Sequence, residues 1–435
     1  MRRETQDVLS TFMNQAWRII SGPAILLLIP LYLSMEEQGC WYTFTSLAAL
    51  SVFADLGFGA IVLQFVAHEF TRLRFMESGF IGGSEEQVRR LASFFRFAVR
   101  WGVRAVMVAF PLISVGGYFF LFRQLHDSAL EWQWGWLLYS CTSGIIFFNN
   151  ILLTFFEGCN SVAKLQGIRF RMAIASSATM IGCLVLDAGL YALIASGLVS
   201  AVSGAFFLYK YFRKSMVQLW KASRSHRYNW WPEFSSLMWR YALSWCSGYF
   251  GLWAYTPIAF YFWGPEAAGK VGLSMAMWTA GLGIASCWLT AVVPRMNMLI
   301  EEKSWEQLDS LFRKSFWRTL ATMAAGGVGF LAVYTATRDL IPIWDRILSP
   351  AGMAILFFCW LGQLVINDWA TYLRAHKKEP LVVYSISSSI YKFSATLICI
   401  QIFPVEYMFL GFLSAAIVGI PYVWTIYNRQ KEEHI

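Results

Sequence analysis

At residues 36–69 the chain reads EEQGCWYTFTSLAALSVFADLGFGAIVLQFVAHE. Between Glu37 and His68 the only Asp, Glu, Lys or Arg is Asp55. A half-buried soluble element alternates apolar and polar residues with a period of 2 or 3.6. Here apolar side chains point all round, over the roughly 20 residues that a bilayer-spanning helix needs. The same texture recurs through all 435 residues, of which 57% are hydrophobic and 14% charged. The sequence therefore specifies an all-α integral membrane protein. Asp55, with Gly57 and Gly59 just behind it, has two readings. It satisfies backbone N–H groups freed at a kink, or it serves a polar cavity as a counter-charge or coupling group.

Hydropathy and helix breakers predict twelve spans, near 13–33, 41–67, 98–122, 134–156, 171–188, 190–212, 240–263, 270–294, 317–337, 351–373, 381–402 and 406–427. Arg18, Pro23 and Pro30 within the first run, with no small-residue cleavage site after it, mark a retained helix rather than a signal peptide. On this topology most Lys and Arg fall on one side, and only Arg123, Lys270, Arg338 and Arg346 on the other. The positive-inside rule then predicts both termini in the cytoplasm. It also accounts for the net charge of +9 without nucleic acid. The predicted outer loops are short and leave no room for an extracytoplasmic domain. Trp132, Trp134 and Trp136 stand at the entrance of the fourth span, where an aromatic belt is expected. The polar stretch RKSMVQLWKASRSHRYNWWPEFSSLMWR (213–240) is basic and aromatic, as an amphipathic linker on anionic lipid would be. It divides the chain into a six-helix lobe (1–212), a cytoplasmic linker (213–239) and a second six-helix lobe with a short tail (240–435).

The two halves echo each other. EEQG (36–39) and PEAAG (265–269) both place a glutamate three residues before a glycine at the start of an even-numbered span. EQVRRL (86–91) and EQLDSL (306–311) share a pattern. Asn150, Thr154 and Glu157 in the fourth span match the spacing of Asn367, Thr371 and Arg374 in the tenth, and that spacing puts each trio on one helical face. Repeats with an even number of helices are parallel, related by an axis along the membrane normal. Two pseudo-symmetric six-helix lobes around a central cavity are expected, the plan of a transporter.

No enzyme is indicated. The five histidines (His68, His126, His226, His376 and His434) avoid the apolar helix cores, and the eight cysteines are scattered singly with no C-x-x-C. No G-x-S-x-G or P-loop occurs, and neither a metal site nor a cofactor is expected. The informative residues are charges inside predicted spans, each expensive unless paired, solvated or snorkelling. Arg96, Arg100 and Arg104 make a cationic stripe entering the third span, of which snorkelling explains the outermost members. Arg18 lies about as deep in the first span, and Lys392 is near the middle of the eleventh. Asp55 and Asp368 oppose them, so Arg18, Arg100, Arg104 and Lys392 outnumber the carboxylates. Such an excess suits a phosphate-bearing anion better than a cationic drug. At 1.5 Å per residue, Asp55 lies roughly 18 Å and Lys392 roughly 16 Å from the inner ends of their helices. Asp55 is expected to neutralise a cavity cation such as Lys392 until substrate displaces it. Glu157 and Arg374, opposite charges at equivalent inner helix ends, form a candidate gate. Asn150, Thr154, Asn367 and Thr371 have a plainer role available, hydrogen bonding between neighbouring helices.

The opening stretch resembles the first hairpin of the Wzx-type O-antigen and polysaccharide flippases of the multidrug/oligosaccharidyl-lipid/polysaccharide exporter superfamily. The resemblance rests on the G-x-W-Y opening, the D-L-G turn and the Q-F-x-x-H-E ending, and GPEAAGKVGL (264–273) fits the loop that opens the family's eighth helix. It implies a flippase in the bacterial inner membrane that carries undecaprenyl-diphosphate-linked oligosaccharide to the outer leaflet by alternating access. Its partners would then be that lipid, the surrounding membrane, and the polysaccharide polymerase and ligase machinery. A drug/cation antiporter of the same superfamily is the alternative, expected to carry more intramembrane acids than bases. A major-facilitator sugar transporter shares the 6+6 plan, but its G-x-x-x-D-R-x-G-R-R pattern is missing from TRLRFMESGFIGGSEEQVRR (71–90).

Overall fold

The computed structural model describes residues 13, 17, 20–224, 228–376 and 380–432. These form an all-α membrane fold. Among them nine helices are long and apolar enough to cross a bilayer, ten if a pair bent by 45° counts as one span. That pair is α2a (Met35–Asp55) and α2b (Phe58–Phe70), preceded by the apolar α1 (Ile20–Tyr32). There follow α3 (Glu85–Leu125), α4 (Trp132–Gly158), α5 (Val162–Val185), α6 (Tyr191–Ala222) and α7 (Trp231–Gly248). After a π-helical turn at Tyr249–Trp253 come α8 (Tyr255–Thr290), α9 (Trp305–Thr337), α10 (Pro350–Ala375), α11 (Val382–Ile402) and α12 (Leu410–Glu432). A left-handed Gly264 (φ 83°) before Pro265 breaks α8 near its start, where the sequence ends its seventh span and opens its eighth. A helical segment thus answers each predicted span. An antiparallel hairpin of Arg74–Phe75 and Ile81–Gly82 joins α2b to α3.

The chain forms two compact units. Unit 1 comprises residues up to Leu33 and Phe44–Cys246, and unit 2 comprises Ser34–Thr43 and everything from Ser247. In unit 1, α3 begins thirteen residues before the predicted span, because Ser84 accepts from the Gln87 amide and Glu85 and Glu86 favour the positive end of the helix dipole. At the same end α6 runs on to Ala222, and its Gln218 side chain both donates to the Ile81 carbonyl and accepts from the Ile81 amide (2.8 Å each). The stretch 213–240 is accordingly helical over most of its length and tied in. Trp230 and Phe234 are buried in the aromatic core of unit 1, and the Trp230 indole donates to Ser93 Oγ at 3.0 Å.

The expected tryptophan belt is corrected. Trp132 and Trp136, one helical turn apart, are wholly buried, and only Trp134 on the opposite face is 67% exposed. Trp136 donates to the Ser114 carbonyl and lies so close to Gly117 that a Cβ there would meet its ring at 2.2 Å. In unit 2 the two repeated glycine motifs meet. A Cβ on Gly39 would lie 1.9 Å from the Pro265 carbonyl oxygen, and one on Gly269 would lie 3.0 Å from the Gly39 amide. Gln38 Nε2 seals this crossing by donating to the carbonyls of Gly269 (2.9 Å) and Arg346 (3.0 Å).

Candidate functional site

Asp55 sits where α2 breaks. Leu56 and Gly57 both take left-handed conformations (φ 50° and 75°), and the Gly59 amide donates to Asp55 Oδ1 at 3.3 Å. The carboxylate thus caps the first turn of α2b, whose early amides the break leaves without helical partners. A Cβ on Gly57 would lie 2.4 Å from the Cβ of Tyr241, so α7 packs directly on the bend. Asp55 also lines a pocket of about 290 Å³ within unit 1, together with Ser51, Asn150, Thr154 and Trp245. The capping reading thus has its geometry, and the same residue borders a cavity. The kink carboxylate faces the polar side of α4 that the repeat singles out.

In unit 2 the corresponding polar face of α10 serves a cation. Lys392, midway along α11, is 7% exposed. Its Nζ donates to Gln363 Oε1 at 3.1 Å and lies 4.1 Å from the ring centroid of Phe412. Gln363 Nε2 donates in turn to Asn367 Oδ1 at 2.9 Å, extending a polar chain along α10. Among the described residues no carboxylate is paired with this ammonium, and Gln363 Oε1 is the one hydrogen-bond acceptor it meets there. Thr371 turns back to the Asn367 carbonyl (2.8 Å) and links no second helix. Asp368 is 3% exposed, and its Oδ2 has no hydrogen-bond partner among the described residues. Gln363 is the residue that sequence reasoning missed. Its signal is the four-residue step to Asn367, which puts both on one face.

The candidate gate residue Glu157 is held inside unit 1. Arg169 Nη2 pairs with its Oε2 at 2.7 Å, and Gln166 donates to Oε1 at 3.3 Å. Any gate through Arg374, exposed in the last turn of α10, has that pair to break. Arg18 lies outside the described residues.

Arg100 and Arg104 line a cleft of about 580 Å³ in unit 1 with Arg96, Trp101, Tyr228 and Trp231. Because α3 starts so early, both arginines stand in its first half, 15 and 19 residues beyond Glu85. The 18 uncharged residues between Arg104 and Arg123 already cover the hydrocarbon thickness, roughly 28 Å at 1.5 Å per residue. Both arginines are exposed, and they make no hydrogen bond or ion pair among the described residues. Arg96 is held by the Ser223 carbonyl (3.3 Å) and the face of Trp220. Beside the cleft, Tyr228 donates to Glu233, which pushes the phenol pKa up.

No family model and no curated protein matches the chain. Solved structures do. An inward-facing multidrug resistance MATE family transporter of the MOP superfamily superposes with a TM-score of 0.68 at 14% identity, covering 98% of this chain and 99% of its own. The MATE multidrug transporter DinF-BH gives 0.62 at 13% identity, with 98% and 94% covered. A MOP superfamily transporter from Pyrococcus furiosus, described as having a binding pocket of reverse polarity that suggests a different function, gives 0.55 at 12%, with 98% and 95% covered. The chain shares the fold of these transporters over nearly its whole length.

Proposed function

We propose that the chain is a flippase of this superfamily, moving undecaprenyl-diphosphate-linked oligosaccharide from the cytoplasmic to the outer leaflet by alternating access. Lys392 carries the proposal. A buried ammonium held by an amide and an aromatic face, with no carboxylate among the described residues to neutralise it, is a poor site for a cationic drug and a good one for a diphosphate. The hairpin at 36–69 supports the same cargo. Asp55 and Asp368 would act as counter-charges or coupling groups, and Glu157 and Arg374 as the inner gate.

A second reading, a cation-coupled multidrug antiporter, has its own support in the unpartnered Asp368 oxygen and the Asp55 pocket, both open to a proton or a cation. Deletion of the gene separates the two. Loss of a surface polysaccharide, with lipid-linked units retained on the cytoplasmic side and no rescue by Lys392→Ala, is the expected result. Normal surface glycan with increased sensitivity to cationic dyes would overturn the flippase in favour of the antiporter.

A further inference from the structure

We infer that the cleft of unit 1 lined by Arg96, Arg100 and Arg104 binds a lipid-borne phosphate at headgroup depth. The three guanidinium groups recur every fourth residue, so they share one face of α3 at intervals of roughly 6 Å. The hydrocarbon length counted from Arg123 puts Arg104 at the boundary of the apolar layer and the other two among headgroups. Trp101 and Trp231 stack at the cleft with ring centroids 6.0 Å apart, amphipathic rings at the depth such rings favour. Guanidinium groups beside indoles suit a phosphate ester tethered to acyl or prenyl chains.

The cleft's cations outnumber the carboxylates near it. Glu69 pairs with Arg90 at 3.0 Å, while Arg90 itself lies over the Tyr228 ring; Glu233, which accepts from Tyr228, keeps its negative charge against three guanidinium groups. Arg100 and Arg104 are left as the charges available to a ligand. The cleft has one wall from α3 and another from Ser223, Tyr228, Asn229 and Trp231, so an occupant would clamp the start of α7 against α3. This site is distinct from the Asp55 pocket and does not depend on the flippase cargo, since bulk anionic phospholipid and polyprenyl diphosphate present the same group.

Native mass spectrometry of the purified protein tests it, with phosphatidylglycerol, phosphatidylcholine and undecaprenyl diphosphate added in turn, and inorganic phosphate as competitor. One anionic lipid should be retained roughly tenfold or more above phosphatidylcholine, and Arg100→Gln with Arg104→Gln should abolish the preference. Arg338→Gln, a control outside the cleft, should leave it intact. A preference for phosphatidylglycerol identifies bulk lipid as the source, and one confined to undecaprenyl diphosphate identifies the cargo lipid. Equal retention of phosphatidylglycerol, undecaprenyl diphosphate and phosphatidylcholine would overturn the inference. So would an unchanged preference in the folded double variant, or displacement by millimolar inorganic phosphate, which would mark a site for the free anion. Surface glycan in cells carrying the double variant is read separately, so failure here leaves the flippase proposal standing.

Discussion

Lys392 is an expensive residue to keep. An ammonium in mid-membrane costs several kcal/mol unless satisfied, and one amide oxygen with one aromatic face satisfies it only in part. Stability alone would favour an apolar side chain there, so Lys392→Met should leave the melting temperature unchanged or higher while abolishing transport. Gln363→Leu does the reverse. It keeps the charge, removes its acceptor, and should destabilise by about 1–3 kcal/mol. Thermal unfolding of the two purified variants checks the pair, and a lower melting temperature for Lys392→Met would make the lysine a structural strut. Asp55 teaches the complementary lesson. The D-L-G order and the lone carboxylate made the break legible, because a left-handed Gly57 and a cap at Gly59 are local chemistry. Its neighbours Asn150 and Thr154 were legible only as a periodic face. Which charge that face would serve is decided by packing, and no spacing encodes it.

Element boundaries explain what sequence reading misplaced. The arginine stripe at 96, 100 and 104 has helical period, so it looks the same whether the helix begins at 98 inside the membrane or at 85 in water. Ser84 with Glu85 and Glu86 marks the true start, a capping signal that hydropathy ignores. Likewise the four-residue step from Trp132 to Trp136 puts both on the buried face, whereas composition alone reads a belt. The glycine motifs fared better, since two short matched patterns turned out to be one crossing. Its geometry ranks two substitutions. Gly39→Ala drives a methyl into the Pro265 backbone at 1.9 Å and should destabilise by about 1–3 kcal/mol or prevent folding. Gly269→Ala meets its neighbours at 3.0–3.3 Å and should be milder. Detergent-solubilised yield and melting temperature give the order, and a more damaging Gly269→Ala would contradict the crossing.

At the scale of the whole molecule, each unit joins one polar helix face to one intramembrane charge. Unit 1 sets α4 beside Asp55, and unit 2 sets α10 beside Lys392 through Gln363. The two polar faces share their residue spacing, whereas the charges beside them sit on helices that the six-plus-six pattern does not pair, Asp55 on α2 and Lys392 on α11. The fold class and helix order were legible because membrane helices obey hydropathy with few exceptions. Orientation rests on charge alone. The hairpin and the extensions of α3 and α6 carry Arg72, Arg74, Arg89, Arg90, Lys210, Arg213, Lys214 and Lys221, whereas the far end of α3 carries only Arg123. The positive-inside rule then predicts that the extensions and the arginine cleft lie on the cytoplasmic side. Reporter fusions after residues 126, 228 and 345 should accordingly read outside, inside and outside. A cytoplasmic signal at 126 would invert the topology and turn the arginine cleft to the outer leaflet.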